Sequence, residues 1–154
     1  MENLTYSIAI NAPKETVWHT MLDLDTYKQW TDPFYPGSYY EGSWEQGSDI
    51  RFVAETDGSI GGIYGRLAES ELYKYVSVEY TGVIVDGQVV TEGEEAEVLI
   101  GAHENYRFTE NDGVTTVDVE LTNPKGGQEM AEMFNGTWPK ALERLKELAE
   151  AAQV

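Results

Sequence analysis

Few residues in this chain could do chemistry. Its 154 residues hold no cysteine and two histidines. Disulfides, thiolate nucleophiles, iron–sulfur clusters and cysteine zinc sites are thereby excluded together. His19 and His103 stand in no nucleophile or metal spacing. His19 falls off the apolar stripe of its segment and reads as exposed. His103 lies beside Glu104 in a strand and reads as a paired strand residue. Ser59 and Ser70 lack the Gly-x-Ser-x-Gly context of a nucleophile elbow. Gly61 and Gly62 have neither the spacing nor the following lysine of a phosphate loop, and read as a hairpin turn. Glu92, Glu94, Glu95 and Glu97 lack the alternating ladder and central glycine of a calcium loop, and read as a solvated acidic loop. No metal and no cofactor is expected, and a non-enzymatic role is favoured over catalysis.

The aromatics are the more informative set. Trp30, Phe34, Phe52, Tyr64, Tyr80, Tyr106, Phe134 and Trp138 are candidate walls of a cavity for an apolar or amphipathic small molecule. Inward-facing rings with a few polar groups are what such pockets are made of. Phe52 shares a strand face with Ile50 and Ala54, and Tyr80 shares one with Val76 and Val78. Segment 31–37 sets Pro33 and Pro36 around Phe34 and Tyr35, a loop whose rings tuck over a core edge or rim a cavity. Plain packing is the stronger expectation for that loop.

The elements that must position these rings follow from periodicity. Residues 4–10 alternate as a strand with one buried face, and Pro13 then enters a helical run at 14–22 with Val17, Trp18, Met21 and Leu22 on one side. A second short helix is expected over 25–30, capped by Asp23 or Asp25. From 38 to 122 the chain reads as strands: 39–44, 49–55, 63–69, 75–85, 88–91, 98–110 and 114–122. Turns at Asp57-Gly58, Asp86-Gly87 and Asp112-Gly113 separate them. Asn123-Pro124 ends the last strand and Gly126-Gly127 releases the chain into residues 128–154. There Met130, Phe134, Trp138, Ala141, Leu142, Leu145, Leu148, Ala149 and Ala152 form one apolar stripe. Gly136 and Pro139 predict a kink or interruption of this helix, with Thr137 as a fresh cap. Strands joined by short turns pair antiparallel, and the long helix is the element able to cover one face. The expected fold is α+β in the helix-grip arrangement, one domain over 1–154.

This order resembles the START-related, SRPBCC or Bet v 1-like superfamily. Local stretches are similar to bacterial homologues of the C-terminal domain of the activator of heat-shock-protein-90 ATPase. They are Ile10-Asn11-Ala12-Pro13 with Val17-Trp18, Tyr27 to Trp30, Glu41-Gly42-Ser43-Trp44 with Gly47, Ile50-Arg51-Phe52, Asn105-Tyr106, and Thr137-Trp138-Pro139-Lys140-Ala141-Leu142 with Leu145-Lys146. The resemblance implies a cavity between sheet and helix, and for many relatives a hydrophobic ligand. It also implies a second reading, a protein-interaction module of co-chaperone type with a chaperone partner.

Acidic residues number 28 against 10 basic, a formal net charge of −18. Nucleic acids and anionic membrane surfaces are repelled by such a field. No apolar run approaches the ~18 residues of a membrane span, and the N-terminus carries no basic and apolar leader pattern. A cytoplasmic protein without membrane insertion is expected. Self-repulsion should also lower stability, and salt screens it over about 10 Å at 0.1 M. The thermal midpoint should therefore rise between low salt and about half-molar sodium chloride. A flat or falling midpoint would show that the charges are already compensated.

Overall fold

The computed structural model describes residues 3–122 and 127–152. Strand β1 (Leu4–Ile10) leads into helices α1 (Lys14–Leu22) and α2 (Leu24–Trp30). Strands β2 (Tyr39–Gly42), β3 (Asp49–Thr56), β4 (Ser59–Glu71), β5 (Tyr75–Val85) and β6 (Gln88–Val90) follow. A single turn of helix, α3 (Glu94–Glu97), precedes β7 (His103–Asn111) and β8 (Val114–Thr122), and α4 (Gly127–Ala151) closes the chain. The eight strands form one antiparallel sheet in the order β1-β8-β7-β5-β4-β3-β2, with β6 on β5. Curved around α4, it is a helix-grip fold. No helix among the described residues is long and apolar enough to cross a membrane.

Turn chemistry sets the hairpins. Asp57-Gly58, Asp86-Gly87 and Asp112-Gly113 each hold two successive residues at φ between 50° and 81°. That is the backbone of the two-residue hairpin turn whose twist matches its flanking strands. Gly61 and Gly62, expected from sequence to form a hairpin turn, instead lie inside β4. A Cβ on Gly62 would collide with the carbonyl oxygen of Phe52, so glycine here permits the close approach of β3. The acidic run also differs from a plain loop, since its residues 94–97 are helical. Residues 98–102, read as the start of a strand, instead turn beneath β5, where Tyr80 N donates to Ala102 O at 2.9 Å. Pro13 is extended and precedes α1 rather than opening it. Asp23 takes the cap position of α2 without a side-chain cap bond, its carboxylate lying 3.3 Å from His19 Nδ1 instead.

Helix α4 buries Trp138, Ala141, Leu142, Leu145 and Ala149, while Met130, Phe134 and Leu148 are half-buried. Ala152 lies beyond the helix end and is exposed, and 153–154 and the 123–126 connection fall outside the described residues. Tyr6 Oη donates to Asn135 Oδ1 at 2.7 Å, tying β1 to the middle of the helix. Near its end, Asn11 N and Lys146 Nζ both donate to Glu150 Oε2, and Lys146 also reaches Ala9 O.

The expected interruption at Pro139 does not occur: the helix runs unbroken from Gly127 to Ala151. Thr137 Oγ1 donates to Met133 O at 2.6 Å, so it bonds backward within the helix rather than capping a new one. Asn135 and Pro139 are both exposed, which lets water satisfy the carbonyl that Pro139 leaves without a donor. Burial of Trp138 on one side and Leu142 on the next turn holds the axis together. Pro139→Ala should then stabilise the protein by about 1–3 kcal/mol in urea unfolding, by restoring the donor and relieving the ring clash. An unchanged or lower midpoint would show that the proline is already accommodated at no cost.

Candidate functional site

A cavity of about 380 Å³ lies where the sheet and α4 part company. Helix α2 supplies Tyr27 and Trp30, the loop after it Thr31, Phe34, Tyr35 and Ser38, and β3 Phe52, Val53 and Ala54. Ile63 comes from β4, Tyr80 from β5, Glu104 and Tyr106 from β7, and Phe134 and Trp138 from α4. Register explains this convergence. Phe52 pairs with Ile63, Gly65 with Tyr80, and Tyr106 with both Val76 and Val119, so successive strands bring alternating residues to one concave face.

The walls are held by ring packing and by hydrogen bonds behind them. Phe34 meets Trp138 edge to face at 4.8 Å, and Trp30 and Tyr106 lie 5.9 Å and 6.0 Å from the same ring. Trp30 Nε1 donates to Met21 O at 2.9 Å, which fixes α2 against the end of α1. At the rim, exposed Tyr35 and Thr56 face one another, and Thr56 Oγ1 donates to Tyr35 Oη at 2.6 Å. The proline-flanked loop therefore does both things its rings allowed: Phe34 packs on the core and Tyr35 borders the opening.

One ionisable acid enters this apolar space. Glu104 occupies the row Val78–Glu104–Leu121 across three strands, a place where its neighbours are aliphatic. Tyr80 Oη donates to Glu104 Oε1 at 2.6 Å, and Tyr106 Oη donates to Oε2. His103, its chain neighbour, points to the other face, where its Nδ1 lies 3.0 Å from Ser77 Oγ. Among the described residues, no lysine, arginine or histidine lines the cavity.

Seven of the eight rings singled out from sequence border this cavity: Trp30, Phe34, Phe52, Tyr80, Tyr106, Phe134 and Trp138. Tyr64 does not. It pairs with Arg51 one step out of phase with the inward Phe52–Ile63 pair, and so lies on the opposite face. There the Arg51 guanidinium sits 5.7 Å from its ring centre. Sequence reasoning passed over Tyr27, Ile63 and above all Glu104. The signal for Glu104 was its parity with Tyr106 and Phe108 along β7.

A family model described as activator of Hsp90 ATPase homolog 1-like protein matches residues 11–150. The chain belongs to this family. No curated protein sequence matches it significantly. Its fold is similar to the solution structure of the Aha1 dimer from Colwellia psychrerythraea, with a TM-score of 0.73, 19% identity and 100% of both chains covered. A crystal structure from Mesorhizobium loti gives 0.72 at 13% identity, over 99% of this chain and 100% of that one. Another from Nitrosomonas europaea gives 0.72 at 16%, over 98% and 96%. At these identities the likeness is one of fold.

Electrostatics sets Glu104 apart within this Hsp90-activator-like domain. Burial raises its carboxyl above the ordinary value, and the hydrogen bonds from Tyr106 and Tyr80 oppose that rise. Burial, joined by the nearby carboxylate, pushes the Tyr27, Tyr80 and Tyr106 phenols well above theirs, so all three stay neutral hydroxyls. A carboxyl whose native value exceeds its unfolded value binds its proton more tightly when folded. Its contribution to stability is full below the unfolded value and is lost as pH rises through the native one. Glu104→Gln carries no charge and offers both an acceptor and a donor to the two hydroxyls. Its stability relative to wild type should therefore improve as pH is raised from about 4 to about 8 in a urea titration series. A variant that is instead less stable at the upper pH by about 1–3 kcal/mol, the cost of stranding buried hydroxyls, would contradict this assignment.

Proposed function

We propose that this protein binds an apolar or amphipathic small molecule in the cavity between its curved sheet and C-terminal helix. The supporting observation is the cavity itself, about 380 Å³ with aromatic and aliphatic walls, one acid, and a rim at Tyr35 and Thr56. That volume falls within the range of roughly 300–1,000 Å³ typical of small-molecule sites, whose polar groups are few and specifically placed. Binding fits the wall better than turnover does. The hydroxyls of Thr31, Ser38 and Thr56 each donate to a carbonyl or phenol oxygen, and among the described lining residues there is no imidazole or amine to serve as base. Family membership favours a second reading, a protein-interaction module of co-chaperone type. Native mass spectrometry of freshly purified protein separates the two: a retained small molecule supports the first, and bare protein with co-purifying chaperone supports the second.

Phe134 gives a sharper test, because it is half-buried and borders the cavity while Trp138, one turn on, is 2% exposed. Phe134→Ala should cost about 1–2 kcal/mol of stability and Trp138→Ala about 3–5 kcal/mol. Wild type should bind an apolar fluorescent dye, and Phe134→Ala should alter that binding. If wild type binds no apolar probe while Phe134→Ala shows the full core penalty, the space is a packing defect and the binding reading is wrong.

A further inference from the structure

The polar end of the cavity has a definite sense. Tyr80 and Tyr106 both spend their hydroxyl protons on Glu104, one on each carboxylate oxygen. What this three-residue cluster has left to offer is lone pairs: the open sides of two phenol oxygens and the unused acceptor capacity of the carboxylate. It can accept hydrogen bonds from a ligand and has none to give. A ligand carboxylate or phosphate placed there would meet acceptors facing acceptors, and among the described residues the lining supplies no lysine, arginine or histidine to neutralise it. The field of the whole chain, at −18, disfavours an anion further.

A positively charged donor meets the opposite conditions. An ammonium group can donate to Glu104 and to the phenol oxygens at once, in charge-assisted bonds stronger than neutral ones. Tyr27, Phe52, Tyr106 and Trp138 line the same cavity as this acid, and aromatic rings attract cations through their quadrupoles. The same cation relieves the one unfavourable feature of the site. A carboxylate amid aliphatic neighbours is held above its ordinary pKa by burial, and a bound counter-ion offsets that desolvation. A half-buried acid with a perturbed pKa that lies in a cavity is also the kind of group that marks a functional site.

Building on the binding reading above, we propose that the ligand class is an amphipathic organic cation: an aromatic or aliphatic body in the cavity, with an ammonium or amidinium end paired to Glu104 and held by Tyr80 and Tyr106. At the Glu104 end, fatty acids and other apolar anions are disfavoured.

Three probes sharing a naphthalene body and a two-carbon arm, ending in ammonium, hydroxyl or carboxylate, test this by isothermal titration calorimetry on the full chain. The ammonium probe should bind with single-site stoichiometry at least about tenfold tighter than the alcohol, with the carboxylate weakest. In Glu104→Gln the ratio of ammonium to alcohol affinity should fall to about unity. In Glu143→Gln, which removes an exposed acid on the outer face of α4, the ratio should remain. Should Glu104→Gln fail to fold, wild type alone decides. The ammonium preference should survive about half-molar salt, because an enclosed pair is screened far less than a surface field. Ammonium and alcohol binding equally, a tightest-binding carboxylate, or a preference abolished by salt would overturn the charge assignment while leaving the cavity as a binding site. Binding by none of the three would overturn both.

Discussion

Trp138 is the point on which the two layers of this protein close. Its indole contacts Tyr6 of β1 at 6.2 Å, Trp30 of α2 at 5.9 Å, Phe34 of the following loop at 4.8 Å and Tyr106 of β7 at 6.0 Å. One side chain thus joins the edge strand, the helical cap, the proline-flanked loop and the sheet interior to α4. Aromatic contacts of this kind add about 0.5–1.5 kcal/mol each beyond the area they bury. Remove the ring and four elements lose a common neighbour. Pro139, directly after it, is tolerated because this packing fixes the backbone where the helix ladder lacks a bond.

The cavity follows from where that seal ends. Trp138, Ala141, Leu142, Leu145 and Ala149 of the α4 stripe are buried, whereas Phe134 and Met130, towards the start of the helix, are only half-buried. Over that first half the sheet side carries Phe52, Ile63 and Tyr80, and α2 adds Tyr27 and Trp30. The rings line a space instead of filling it. Glu104 marks the polar end of the same space, and its two phenol partners come from neighbouring strands β5 and β7. Packing, register and electrostatics therefore meet in a single region.

Much of the fold was legible in the sequence because its signals are local. The alternation of β1 and β8, the Asp-Gly turns and the apolar stripe of α4 each sit within a few residues of one another. The rings of the cavity were legible where a strand alternates cleanly, as around Phe52 and Tyr80. They were not legible in β4, where Gly61, Gly62 and Gly65 leave no clear inward set, and Tyr64 was placed on the wrong face. Glu104 was hidden by abundance: among 28 acidic residues one inward carboxylate has no distinguishing composition. Its parity with Tyr106 and Phe108 hinted at the inward face, and its hydrogen bonds to two tyrosines, one 24 residues away, single it out. Pro139 did not interrupt the helix, because a local rule about helices was outweighed by tertiary contacts on both sides of it.

The account stands or falls on where a ligand sits. Intermolecular nuclear Overhauser effects between a bound naphthylalkylammonium probe and the labelled protein locate it without assuming any site. The account predicts cross-peaks to the methyls of Ala54 and Ile63 and to the rings of Phe52, Phe134 and Trp138, with none to the Arg51–Tyr64 face. Cross-peaks confined to that outer face or to the acidic segment around α3, with the cavity residues silent, would contradict it.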